Sequence, residues 1–93
     1  MSELKISDEL ISMIRDKVET TPDEQINVII SLRDGVAIED AKIELIKNGL
    51  KIETMIPGPV QLVSGTISVK EISQLAKVLV VDKIEYDSKV YAL

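Results

Sequence analysis

The chain has 93 residues, 45% hydrophobic and 29% charged, with a formal net charge of -5, which describes one globular domain with a modest core. It contains no Cys and no His, removing disulfides, the commonest general base and the usual transition-metal ligands, so a non-enzymatic protein without cofactor or metal is expected. The acid excess opposes nucleic acid, two Tyr as the sole aromatics offer few stacking platforms for single strands, and the apolar stretches are too short to span a bilayer.

The opening "MSELKISDEL" lacks a basic region followed by an apolar stretch, so no secretory signal is visible. At face value the chain is cytoplasmic; a fragment excised from a secreted precursor and given an initiator Met reads the same way. Ser7-Asp8-Glu9 predicts a helix start, with an N-cap residue and acids in the first turn. Leu10, Ile11, Ile14 and Val18 follow at helical spacing until Thr20-Thr21-Pro22 stops the run. Gln25–Leu32 alternates Ile26, Val28, Ile30 and Leu32 on one face and predicts a strand, broken by Asp34-Gly35.

A second helix is predicted over "AIEDAKIELIKNG", with Ile38, Ala41, Leu45 and Ile46 inward and Asn48-Gly49 closing it. Leu50–Ile56 predicts a strand, Pro57-Gly58-Pro59 a tight connection, and Val60–Ser68 another strand. Gly65 inside that strand marks a bulge or a close backbone approach. Ser68 is placed to cap a third helix carrying Val69, Ile72, Leu75 and Ala76, and "VLVVDKIEY" predicts the fourth strand.

After the N-terminal helix the order is β-α-β-β-α-β, which predicts an α+β, ferredoxin-like fold: a four-stranded antiparallel sheet with two helices on one face. The first and fourth strands are expected side by side in the middle, and the extra N-terminal helix over an edge or end of the core. The other sheet face is then open to solvent or a partner. Strict alternation puts Asn27, Ile29 and Ser31 on it from the first strand, and Lys51, Glu53 and Met55 from the second. Ile29, Met55 and Val63 are the candidate apolar sheet-face contacts; the competing view is that scattered exposed apolar residues need no explanation.

Other chemistries fit less well. Arg33 follows the first strand, as a phosphoryl site on this fold needs, but no phosphate-cradling glycine loop accompanies it. Glu39, Asp40 and Glu44, with Lys42 and Lys47, form a solvated helix face rather than a calcium loop.

The stretch "ISQLAKVLVVDKIEYDSKVYAL" carries more information. It resembles the C-terminal half of the propeptide domains of subtilisin-like serine proteases, the I9 inhibitor family. Leu75, Val81 and Ile84-Glu85-Tyr86-Asp87 fall at matching intervals, and a short tail follows Asp87. "INVIISLRDG" and "SGTIS" extend the likeness loosely over residues 25–93. Three divisions follow: 1–22 as a helical extension, 23–87 as the propeptide-like domain, and 88–93 as a protease-binding tail.

The resemblance implies an inhibitor of a subtilisin-like serine protease that also assists the enzyme's folding. Glu85 and Asp87 would meet the N-termini of two protease surface helices, where unpaired N–H groups favour carboxylates. The tail would add a strand in the substrate groove. Leu93 would enter the primary pocket, Ala92 the next and Val90 the fourth, with Tyr91 more exposed. The resemblance also implies a monomer when free, with no membrane or nucleic-acid partner. Four departures stand out: Tyr86 where an acid is common, no aromatic near Gly65, an N-terminal helix before residue 22 that is not part of the minimal domain, and no protease following the tail. The alternative left open is a small-molecule-binding regulatory or oligomerisation domain of the same fold.

Overall fold

The computed structural model describes residues 5–87, and the elements within them arise where local chemistry predicts them. Helix α1 (Asp8–Lys17) starts at Ser7, whose backbone is extended and whose Oγ accepts from the Leu10 N–H at 3.4 Å. It buries Leu10 completely and lays Ile11, Met13 and Ile14 against the core. Strand β1 (Gln25–Leu32) alternates as expected, with Ile26, Val28, Ile30 and Leu32 buried. Helix α2 (Ile38–Lys47) buries Ala41 and Leu45 and half-buries Ile38. Ile46, expected inward, is instead 52% exposed. At 100° per residue it lies about 100° round the helix from Leu45, off the buried stripe.

Strands β2 (Lys51–Ile56) and β3 (Leu62–Ser68) pair antiparallel through the connection 57–61. A 3₁₀ turn (Val69–Glu71) then leads into α3 (Ile72–Ala76). Val69, Ile72, Leu75 and Ala76 are all buried, as their spacing predicts. Ser68 donates its hydroxyl to the Glu71 carboxylate at 2.5 Å, joining the residues that open this turn. Strand β4 (Val81–Tyr86) begins later than expected. Val78–Val80 form a turn first, with the Val81 N–H donating to the Val78 carbonyl at 3.1 Å.

The sheet order is β2-β3-β1-β4, every neighbouring pair antiparallel. This is the ferredoxin-like arrangement. The first and fourth strands are neighbours, but the middle pair is β1 and β3, and β4 lies at an edge. The short connection holds β2 against β3, and β3 uses its other side for β1. The outer edges of β2 and β1 remain, and β4 takes the one beside β1. One core cluster gathers the inward residues of all four strands with Leu10 of α1, Ala41 and Leu45 of α2, and Ile72, Leu75 and Ala76 of α3.

The chain before α1 runs beside β4. Ile6 pairs with Ile84 in parallel, and the Ser7 N–H donates to the Ile84 carbonyl at 3.0 Å. Lys5 Nζ reaches the Val78 carbonyl at 3.1 Å. Burial, with the nearby Arg33 charge, holds the Lys5 ammonium below its ordinary pKa, and Asp82 partly offsets this. The N-terminal extension therefore covers a sheet edge rather than standing apart from the domain.

Two strands carry an extra residue. The register of β2 on β3 shifts between Ile52, opposite Gly65, and Thr54, opposite Ser64, leaving Glu53 as the surplus. The register of β4 on β1 shifts at Asp82, between Lys83 opposite Ser31 and Val81 opposite Leu32. Gly65 permits the first of these. A Cβ there would overlap the Lys51 carbonyl oxygen and press on Ile52 Cα at 3.2 Å.

Candidate functional site

The open sheet face is built from residues that alternate with the core positions. On β1 these are Asn27, Ile29 and Ser31, all half-buried. Opposite them on β3 stand Thr66, Ser64 and Leu62. Beyond β3, Lys51, Thr54 and Ile56 of β2 complete the rows. On the other side, Glu85 of β4 lies opposite Ile29, and Lys83 opposite Ser31. Asp87 follows, its backbone N–H donating to the Asn27 carbonyl at 2.9 Å.

Of the predicted sheet-face contacts, only Ile29 lies on this face. Val63 is fully buried opposite Ile30, in the core. Met55 pairs with Val63 and packs against the core from the same side. Val63 follows from its place opposite buried Ile30, and for Met55 the cause is the surplus residue Glu53. One extra residue reverses the alternation of everything after it. Lys51 therefore stays on the open face, whereas Met55 moves to the helix side and Thr54 and Ile56 take the outer positions. The apolar content of the open face is Ile29, Leu62 and Ile56, the last 41% exposed. Gly65 was the available signal, since a bulge beside it shifts register; no local pattern says which strand takes the extra residue.

Glu85 and Asp87 lie on one side of the chain, as their spacing predicts, and Tyr86 turns the other way. Tyr86 sits opposite Val28 and packs half-buried against the core. Its aromatic ring thus serves burial at the end of β4, which accounts for an aromatic between two acids. Glu85 is exposed and makes an ion pair with Lys83 at 3.6 Å, both side chains about half exposed. Such a pair is screened by water and weak, on the order of 0–1 kcal/mol, so it leaves Glu85 available to a stronger donor. Val90, Tyr91, Ala92 and Leu93 lie outside the described residues.

Two open clefts flank the domain away from this face. One, of about 460 Å³, lies between Glu44 of α2 with Asn48 at its C-terminal cap and the turn Lys77–Val80. The other, of about 520 Å³, is lined by Leu32, Arg33, Asp34, Val60 and Asp82. Arg33 shares the latter with two carboxylates, which oppose the binding of a phosphoryl group there. Among the described residues no cluster of Asp or Glu side chains is arranged to hold a metal ion, and no helix is long and apolar enough to cross a membrane. The fold and face together define a ferredoxin-like domain with an open, mixed polar and apolar sheet surface that ends in an acidic strand.

No family model, curated protein or solved structure matches this chain.

Proposed function

We propose that the protein is an inhibitor of a subtilisin-like serine protease, and that it assists that enzyme's folding. One observation supports this most: Glu85 and Asp87 stand on the same open face at the end of the edge strand β4, immediately before residues 88–93. Two carboxylates so arranged suit partner groups that present unpaired backbone N–H donors, as helix N-termini do. The residues after Asp87 then add a strand to the protease groove. Leu93 fills the primary pocket, Ala92 the next and Val90 the fourth, so that the segment lies in the groove as a bound peptide strand. Inhibition on this scheme comes from binding alone. The target protease sets the compartment: cytoplasm for an independent inhibitor, exterior for a propeptide released from its enzyme.

The test is inhibition of a subtilisin by the intact chain and by one lacking residues 90–93. The intact chain should inhibit, and the truncation should weaken inhibition by at least tenfold, about 1.4 kcal/mol. Equal inhibition by both would overturn the groove mechanism, and none by either would overturn the function. Glu85→Ala with Asp87→Ala should cost roughly 1–3 kcal/mol of affinity through lost charge-assisted hydrogen bonds.

A further inference from the structure

The segment before α1 is more than a cover for the hydrophobic core. It is bonded to the strand that carries both acids. Two contacts hold it there: Lys5 Nζ to the Val78 carbonyl before β4, and the parallel Ile6–Ile84 pairing, to which the Ser7 N–H contributes its bond to the Ile84 carbonyl. Ile84 immediately precedes Glu85 in the chain. Ile6 is almost wholly buried, and Leu10, one turn into α1, is entirely so. The strap is thus anchored at its far end as well as along β4. Along its other edge β4 pairs with β1, and that pairing is interrupted at Asp82. Without the strap, an edge strand with a bulge at its start would carry the two acids and the tail.

We infer that residues 5–7 act as a positioning strap: by bonding the outer edge of β4 at Ile84, they hold Glu85 and Asp87 in the geometry the protease surface receives. This rests on the function proposed above. The strap touches no protease group in this scheme; it acts through β4. It also occupies the edge of β4 at Ile84, so an approaching partner strand cannot pair there and must engage the chain beyond it.

Ser7 allows a clean test because it has two separable roles. Its N–H bonds Ile84, and its hydroxyl caps α1. Ser7→Ala removes the cap and keeps the N–H. Ser7→Pro removes both, and the native Ser7 φ of -62° is one that proline adopts without strain. Amide hydrogen exchange on the free variants is the first readout. The Asp87 N–H, which bonds Asn27, should exchange about tenfold faster in Ser7→Pro than in Ser7→Ala if the strap holds β4 in place. Equal exchange in the two variants overturns the strap whether or not any protease is inhibited.

The second readout is coupling. Inhibition of the protease should weaken about tenfold in Ser7→Pro relative to Ser7→Ala. The loss caused by Glu85→Ala with Asp87→Ala should shrink by several-fold in the Ser7→Pro background. A residue that merely stabilised the domain would leave the two losses independent, and that result overturns the positioning role. If the intact chain inhibits no subtilisin, the function fails while the exchange measurement still decides whether the strap holds β4.

Discussion

At Gly65 a single missing Cβ decides the shape of the outer sheet. The Lys51 carbonyl approaches so closely that even alanine would overlap it. Gly65→Ala should destabilise the protein by about 1–3 kcal/mol, the usual cost of overpacking, read as a lower urea midpoint at unchanged slope. Gly49 meets a different constraint. Its φ of +102° is left-handed, and a Cβ there would collide with the Glu71 carboxylate. Ile29 and Val63 make an informative pair because sequence alone assigns them to one patch and the sheet register separates them. Val63→Lys should unfold the domain by burying an unpaired charge. Ile29→Lys, on the open face, should shift stability by no more than roughly 1 kcal/mol. Similar effects for the two would contradict the register of β1 on β3, which sets Val63 opposite Ile30.

At the scale of elements, the N-terminal helix and β4 depend on each other. Leu10 is fully buried and Ile6 nearly so, and both join the same cluster as Ile84 and Val81. Leu10→Ala should therefore cost about 2–5 kcal/mol, as for any large side chain deleted from a packed core. Calorimetry or urea unfolding would measure it; a cost below 1 kcal/mol would mean the helix is an appendage. Ile6 and Leu10 thus tie the residues before 22 to the core of the rest. The Lys70 N–H donates to the Pro22 carbonyl at 3.0 Å, joining the two parts again at the far end, and its ammonium makes an exposed ion pair with Asp23 at 2.6 Å. That pair holds the Lys70 pKa above its ordinary value, chiefly through the hydrogen bond to Asp23. Its stabilisation is present below the ordinary lysine pKa and is lost as pH rises through the elevated value.

At the scale of the whole molecule, the two sheet edges are treated differently. The edge of β4 is covered at Ile84 by the chain's own N-terminal segment. The edge of β2 is interrupted instead by the bulge at Glu53, which also discourages pairing with another strand. The open sheet face is a broad surface of mixed character. Its apolar residues Ile29, Leu62 and Ile56 run across from β1 to β2, while its acids lie on β4 and just after it. The polar character of this face, with Asn27, Ser31, Thr54, Ser64 and Thr66 between the apolar groups, matches interfaces formed by proteins that also exist alone.

What the amino-acid sequence determined by itself is the order of elements and most of the core. Alternation over Gln25–Leu32 and the spacing of Val69, Ile72, Leu75 and Ala76 need only the periods of strand and helix. The shared side of Glu85 and Asp87 follows from the same period of two. Tertiary structure alone decided that Met55 and Val63 belong to the core, that β4 is an edge, that Tyr86 turns inward and that Ile6 bonds Ile84. Each of these depends on which backbone lies beside which. A surplus residue in β2 costs nothing locally and becomes visible only against Gly65 on the neighbouring strand. A single parallel pairing between Ile6 and Ile84 leaves no pattern in either segment, because one bridge has no period.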